Sequence, residues 1–451
     1  MICHLKTLLI ILLAANAIYL TSRLWFDEFS GSSAKSAVLM LLSRAQSEAD
    51  TGQNYFVKPA RIVTSFSGNR HYIMYNNIDT SMQKRDCDEA IALVLDAGEY
   101  ISTMIVPLDE LLSLPCYAFN YSVAMPSSAF VLSYPQRRNI LTSRVRSFNW
   151  VIVRPYDSSG VAVIFLDTDG RAHLYRVNNA YHSMRILRNI QESAGDRQRL
   201  VYAYERGLFI PQAEGFSYPK LVMENQYMDD GGLYLEPVRR MVDVFFGGTG
   251  SKWESSTEQS RTYSDENTVV KYFRAPPETS NGVDVLEYTN YRVDSRQVLT
   301  ALSADYNSAI RFITRDSTIE NEFYLAEVQD AESKRVFYFN YAVNDLPLSL
   351  SYENKLQTGL TYPIEIEVEY GAVTRYRKLV YRFESDKEQT VEVSYEDLLN
   401  ILFPEDVEPE GLPIENVELK YQINVSSDMV LYWFFELDGV FSQSTQGAGG
   451  Y

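Results

Sequence analysis

The chain has 451 residues, 46% of them hydrophobic and 22% charged, with 16 Pro and 22 Gly. That length exceeds one ordinary hydrophobic core and calls for roughly two to four domains, while the balance excludes bulk disorder. The formal net charge of −18 repels phosphate backbones and excludes nucleic acid as a partner.

The first element is the uncharged run 7–22, TLLIILLAANAIYLTS, set between Lys6 and Arg23. As a helix it spans about 24 Å, short of the ~30 Å hydrocarbon core. Lys6 and Arg23 can snorkel, and Leu24, Trp25 and Phe26 carry the apolar run into the interface, where Trp25 and Tyr19 are favoured. The reading is a single-pass anchor in the cell membrane over residues 1–26. Its N-terminus is cytoplasmic, lipid surrounds the helix, and the bulk of the chain is extracytoplasmic. Two alternatives stay open. A cleaved signal peptide would use Ala15-Asn16-Ala17 and leave Ile18-Tyr19-Leu20 as a greasy mature end. A buried helical hairpin in a cytosolic protein is opposed by Asp27 and Glu28, which end the run abruptly. On the helix, Ala14, Ala17 and Thr21 share one face, and small residues let another helix approach closely. Asn16 and Tyr19 lie roughly opposite, and an amide in hydrocarbon seeks a hydrogen-bond partner. These five are candidate contacts to a partner helix, with lipid on both faces as the alternative. Lys6, Arg23 and Trp25 are candidate interface anchors.

An N-terminal extracytoplasmic α+β domain over 27–216 opens with a helix at 34–47, capped by Ser32 or Ser33. Strands at 61–67 and 71–76 form a hairpin about Gly68-Asn69. Helices follow at 81–97 and 107–114, then strands at 148–155, 161–167 and 171–177, the last two joined by Asp167-Thr168-Asp169-Gly170. A helix at 181–193 and a strand at 199–205 complete it. A middle α+β domain over 217–293 has a helix at 235–246, an exposed polar loop at 247–264, and strands at 268–273 and 283–291. A C-terminal α+β domain over 294–440 has a helix at 294–313 and strand pairs at 322–330 with 335–343, 363–371 with 374–384, and 416–425 with 429–438. Between the last two pairs lie a short helix at 395–402 and an acidic linker at 404–413; the tail 441–451 frays, its end at 444–451 above all. The fold class is thus α+β: an N-terminal transmembrane helix, then antiparallel sheets with helices packed on one face, in several domains.

Chemistry-bearing motifs fail one by one. His71, His173 and His182 are scattered, no Cys or His cluster has metal spacing, and there is no HExxH or GxSxG. Ser32-x-x-Lys35 and Ser81-x-x-Lys84 match S-x-x-K, but the S-D-N and K-T-G that accompany it in penicillin-recognising enzymes are missing. Gly247–Lys252 lacks the Gly directly before Lys that a phosphate loop needs, and Phe165 occupies the first ligand position of a would-be calcium loop at Asp167. The aromatic run Tyr432-Trp433-Phe434-Phe435 reads as core strand before it reads as a sugar platform. Of three cysteines, Cys3 precedes the apolar run, and Cys87 and Cys116 read as two buried thiols or one disulfide. No catalytic residue, cofactor or metal is expected.

The order of several short segments adds to this. Tyr19-Leu20-Thr21-Ser22-Arg23-Leu24-Trp25 ends the anchor, and Pro59-Ala60-Arg61-Ile62-Val63 opens the first hairpin. Phe209-Ile210-Pro211 precedes the middle unit, in which Arg261-Thr262-Tyr263 leads to Val285-Leu286-Glu287-Tyr288-Thr289-Asn290. Leu419-Lys420-Tyr421 and Leu431-Tyr432-Trp433 come near the end. In this order they resemble the YycH family, extracytoplasmic regulators of the WalK–WalR two-component system of low-GC Gram-positive bacteria. The chain departs from that family at Phe245-Phe246-Gly247-Gly248, where a Leu-Phe-Pro-Asp-like stretch is usual, and in lacking Pro before Trp433. The resemblance implies a non-enzymatic, membrane-anchored regulator with later domains like those of the sister protein YycI. It implies association with that sister and with a WalK/YycG-like sensor histidine kinase, partly through membrane helices, and an effect on cell-wall homeostasis. The alternative is an extracytoplasmic binding or assembly protein that recognises wall glycan, peptide or lipid.

Overall fold

A computed structural model describes residues 58–75, 82–132, 134, 140–193, 201–205, 207–212, 216–229, 232–233, 235–246, 252–257, 260–274, 283–291, 300–316, 318–331, 333–394, 414–424, 429–437 and 440–445. The chain divides into two units, Met1–Asn54 with Phe246–Gly250, and Tyr55–Phe245 with Ser251–Tyr451. The architecture that follows is that of the second.

β1 (Arg61–Phe66) and β2 (Arg70–Met74) pair antiparallel from Ile62↔Met74 to Phe66↔Arg70. Gly68 (φ +81°) and Asn69 (φ +54°) occupy the left-handed region, which a tight turn must enter to match the twist of its strands. Next come α1 (Met82–Ala97), β3 (Glu99–Ile105), α2 (Leu108–Leu112), β4 (Cys116–Pro126) and α3 (Ser127–Leu132). β5 (Ser147–Asp157), β6 (Gly160–Leu166), β7 (Arg171–Asn178), α4 (Ala180–Ser193), β8 (Val201–Glu205) and β9 (Leu208–Pro211) complete the first sheet. Its nine strands run in the order β3-β7-β6-β5-β4-β1-β2-β8-β9, each pair antiparallel. α1 and α4 pack on each other and across β5 and β6. Cys87, Val94, Ile186 and Ile190 meet Ile62, Tyr117, Phe148, Val163, Phe165 and Tyr175 in one buried cluster. Each large apolar side chain there contributes roughly 1.5–3 kcal/mol over its exposed state. At the β6–β7 turn the Asp167 carboxylate accepts from the amides of Asp169 (2.9 Å) and Arg171 (2.8 Å), an Asx turn in which Gly170 takes φ +76°.

β10 (Phe216–Asn225) pairs with β22 (Tyr381–Val393), and β11 (Met228–Asp229) with β12 (Gly232–Leu233). Between them in sequence lie α5 (Leu235–Phe246), β13 (Trp253–Ser256), β14 (Ser260–Ser264), β15 (Thr268–Phe273), β16 (Val285–Asn290) and α6 (Leu302–Ile313). β17 (Phe323–Asp330), β18 (Lys334–Val343), β19 (Leu346–Leu350), α7 (Tyr352–Thr358), β20 (Ile364–Glu369) and β21 (Ala372–Leu379) precede β22, and β23 (Ile414–Ile423), β24 (Met429–Leu437) and β25 (Val440–Thr445) follow it. A 12-stranded sheet runs β13-β14-β15-β16-β21-β20-β18-β19-β23-β24-β25, with β17 on β18. Within it β19–β23 is a parallel pair. β16, from segment 217–293, pairs with β21, from segment 294–440, so both segments build one sheet. α6 packs on β20 and β21, where Phe312 stacks on Phe245 (5.1 Å, 15°) and meets Tyr288 and Tyr376. On β20, Ile364, Ile366 and Val368 are buried and alternate with Glu365, Glu367 and Glu369, the period-2 signature of a strand with one dry face.

The α+β class with antiparallel sheets and a few helices is the one expected, and the hairpins β1–β2, β17–β18, β20–β21 and β23–β24 form as read. Several local readings are corrected. The polar region 247–264 contains two strands, β13 and β14. β13 is exposed at all its positions, so its sequence carries no apolar alternation to betray it. The helix read from 294 begins at Leu302, with Ala301 extended at φ −64°, ψ 147°. The strand read as 374–384 is two, β21 and β22, which leave for different partners after Leu379. Ser444 and Thr445, read as tail, pair with Trp433 and Tyr432. β3, β4, β9, β10, β11, β12, β19, β25, α3 and α7 have no counterpart in the sequence reading. The readings at 34–47, 395–402, 404–413 and 446–451 fall outside the described residues.

Candidate functional site

Ala14, Asn16, Ala17, Tyr19 and Thr21, with Lys6, Arg23 and Trp25, lie outside the described residues, as do Ser32 and Lys35. Among the described residues no helix is long and apolar enough to cross a membrane.

The three described histidines each sit in a different setting. His71, on β2, is fully buried, with Nδ1 2.9 Å from Ser65 Oγ and Nε2 3.0 Å from Asn69 Oδ1. Phe209 meets its ring edge-on at 5.6 Å. Burial lowers its pKa to about 4, so the ring is neutral at pH 7. The Ser–His–Asn line has the residue types of a nucleophile relay, but Ser65 and His71 are both 0% exposed, beyond reach of a substrate. His173 Nδ1 lies 2.9 Å from Thr103 Oγ1, its cross-strand partner. Asp167 is 3.7 Å from His173 Nε2, too far for a hydrogen bond, and its other oxygen holds the Asx turn. His182 Nε2 meets Glu89 at 2.9 Å, and Glu89 also pairs with Arg185. Among the described residues no three His, Cys, Asp or Glu side chains gather as a metal site.

Cys87 and Cys116 are both free and buried. Cys87 belongs to the α1–α4 core with Tyr117. Cys116, next to Tyr117 on β4, turns to the opposite face by the strand's alternation and meets the Leu111 carbonyl at 3.9 Å. The sheet separates the two sulfurs, which selects the buried-thiol reading.

The polar cluster with the greatest reach joins the two large sheets. Arg61, the first residue of β1, donates from Nε to Asn120 Oδ1 (3.1 Å) and places Nη1 3.9 Å from Glu418 Oε1 on β23. Its guanidinium lies over the rings of Phe209 (5.3 Å) and Trp150 (5.9 Å). Tyr75 donates to Glu418 Oε1 at 3.3 Å, and Lys420 Nζ holds Glu418 Oε2 at 2.5 Å. Burial raises the Glu418 carboxyl, but Lys420 and Arg61 outweigh it, and the group sits below the ordinary glutamate range. Nearby, Ser122 Oγ donates to the Leu325 carbonyl at 2.5 Å across the same junction, and Val123, Met125, Pro126 and Ala129 face Leu302, Tyr306, Leu325 and Phe337 around an apolar crevice of about 10 Å³, room for at most one water. Each charge in the cluster has a partner, and its contacts run from β1 and β2 of the first sheet to β23 of the second. Sequence reasoning missed it because Arg61 and Glu418 are remote in the chain. The local trace was Glu418 and Lys420, spaced by two and alternating with the buried Val417, Leu419 and Tyr421.

A second polar cluster is wholly internal. Lys378 Nζ is 2.7 Å from Asp316 Oδ2, with side chains 1% and 0% exposed. Tyr376 donates to the same oxygen at 3.0 Å, Thr318 donates to Oδ1 from hydroxyl (2.5 Å) and amide (3.1 Å), and Tyr227 donates to Thr318 Oγ1 at 2.9 Å. Burial alone would raise Asp316; Lys378 and these donors hold it below the usual carboxylate range.

The chain matches no protein-family model and no curated protein. Among solved structures it is similar to YycH from Bacillus subtilis, with a TM-score of 0.54, 9% identity, and coverage of 86% of this chain and 96% of that one. It is also similar to an uncharacterized protein from Eubacterium rectale (TM-score 0.28, 12% identity, 55% and 85% covered). The C-terminal domain of YpeB from Bacillus megaterium gives a TM-score of 0.23 at 12% identity, with 46% and 90% covered. The first likeness establishes a YycH-like fold over most of the chain.

Proposed function

We propose that this chain is a non-enzymatic, membrane-anchored regulator of a WalK-type sensor histidine kinase in cell-wall homeostasis. It acts with a YycI-like sister protein, through its N-terminal helix and its extracytoplasmic surfaces. The observation that carries this reading is the YycH-like fold across 86% of the chain. The aromatic run of β24 supports it over wall-glycan recognition, because Trp433 and Phe435 are buried. Regulation then needs a difference in affinity for two kinase states, tenfold for each ~1.4 kcal/mol.

Co-purification of the full chain with kinase and sister protein from membranes tests the reading. The expected result is a stable complex that Ala14→Leu with Ala17→Leu weakens, because the small-residue face then no longer admits a neighbouring helix. Absence of any complex at matched expression overturns the reading. A complex indifferent to the double substitution removes the helix from it.

A further inference from the structure

The two large sheets meet through side chains. Among the described residues β1 to β9 build the first sheet and no later strand enters it, so the chain passes from one sheet to the other once, after β9. Among those residues, too, no backbone hydrogen bond joins the first sheet to the second. Arg61 Nη1 stands 3.9 Å from Glu418 Oε1, and Tyr75 donates to that oxygen at 3.3 Å, both longer than a close charge-assisted bond. Tyrosines line this contact: Tyr75 and Tyr202 from the first sheet, Tyr218 of β10 and Tyr324 of β17 from beyond it, all buried. Tyr75 meets the Tyr324 ring at 6.3 Å. Burial, with Tyr218 and Tyr75 close by, holds the Tyr202 hydroxyl well above its ordinary pKa. Beside them the apolar contact of β4 and α3 with β17 and α6 keeps a crevice of about 10 Å³. Hydroxyls and charges regain water when such a contact parts, so it separates at less cost than an apolar core of equal area. Each sheet is instead knitted by ladders, as in β5–β6 from Trp150↔Leu166 to Asp157↔Gly160 and β20–β21 from Ile364↔Lys378 to Glu369↔Ala372. The weakest plane therefore lies between the sheets.

We infer that this contact is a latch on which the two sheets swing apart as intact bodies, and that Glu418 sets the balance of closed and open forms. Its two oxygens are divided between the sheets, Oε1 toward Arg61 and Tyr75 and Oε2 toward Lys420 on its own strand. When the sheets part, Lys420 remains its partner, so opening strands no unpaired carboxylate. Arg61 likewise keeps Asn120 and the rings of Phe209 and Trp150, all within the first sheet. Each half of the latch is thus satisfied alone as well as joined, which a reversible contact requires and the buried Lys378–Asp316 pair lacks. The latch stands without the regulator reading, to which it offers two forms that a kinase can bind unequally.

The test is a distance measured across the junction by pulsed electron resonance on the full chain. Nitroxide labels go on Ser158→Cys in the first sheet and Glu266→Cys in the second, both exposed positions, with Cys3→Ser; Cys87 and Cys116 are buried. Without further change the labelled chain should give one main distance. Glu418→Gln weakens the contacts to a charged group and should raise the ratio of longer-distance to closed protein about tenfold or more. Glu418→Lys sets a third cation beside Arg61 and Lys420 and should make the open form dominant. In both, the amides of β5, β6, β20 and β21 should stay protected from exchange while the distance lengthens. A distribution that Glu418→Lys leaves unchanged in the folded chain overturns the latch. So does lengthening accompanied by loss of protection in those ladders, because the sheets then unfold and do not swing. If Glu418→Lys fails to fold, Glu418→Gln decides alone, and an unchanged distribution there overturns the latch. Opening as expected, with no effect on a kinase, would remove the regulator reading and leave the latch standing.

Discussion

Lys378→Met tests the internal cluster quantitatively. The substitution keeps the volume roughly constant and deletes the cation 2.7 Å from Asp316 in a site where both side chains are essentially dry. Asp316 keeps neutral donors from Tyr376 and Thr318, which cannot replace a full charge. Breaking a buried pair from one side costs about 3–5 kcal/mol, a large part of a total that is usually about 5–15 kcal/mol. Asp316→Asn combined with Lys378→Met removes both charges and should restore more than half of that loss. The pH dependence has a defined sign. In the wild type the Asp316 pKa lies below its unfolded value, so its stabilisation is present above the unfolded pKa and is lost as pH falls through the folded one. In Lys378→Met the donors from Thr318 and Tyr376 remain but burial, the largest influence, outweighs them, the folded pKa rises above the unfolded value, and the site favours folding more as pH falls. The gap between the two proteins therefore narrows from pH 7 to pH 4.5 in urea melts followed by circular dichroism. A loss under about 1 kcal/mol at pH 7, or a gap that stays constant on acidification, would refute the reasoning.

Three further outcomes follow from the same geometry. His71 has a folded pKa lowered to about 4, so stability is present above the unfolded value near 6.5 and falls as pH drops through that window. His71→Gln should remove up to about 3 kcal/mol of that slope between pH 6.5 and 4, read as the difference between two denaturation series. Glu418→Gln should cost about 1–3 kcal/mol and speed amide exchange at the contacting ends of β1, β2 and β23 together; faster exchange in β23 alone would contradict the coupling of the sheets. Cys87 and Cys116 should resist a thiol reagent until denaturant is added, with mass spectrometry of the unreduced chain finding no link between them.

What the sequence makes legible is local. The β1–β2 hairpin announces itself through Gly68-Asn69, and the β20–β21 hairpin through Tyr370-Gly371, because only left-handed positions close such turns. α4 shows its buried stripe at Ser183, Ile186 and Ile190. β4 escaped notice although it is central, because both its faces are covered near its start: Cys116, Tyr117, Ala118 and Phe119 are all buried and no alternation survives. β13 escaped for the opposite reason, with no buried face at all. Pairings such as β16 with β21 and β10 with β22 join residues far apart in the chain, and nothing in either strand names its neighbour. The Arg61–Glu418 cluster belongs to this class.

The central claim is regulation of a sensor kinase, and its most direct test is autophosphorylation of a WalK-type kinase in proteoliposomes, with and without the full chain and a YycI-like partner. The account predicts a change of at least about fivefold at saturation, equivalent to ~1 kcal/mol of differential binding, that fades when Ala14 and Ala17 become Leu. Identical rates at saturating chain, with all proteins shown to be inserted and folded, would contradict it.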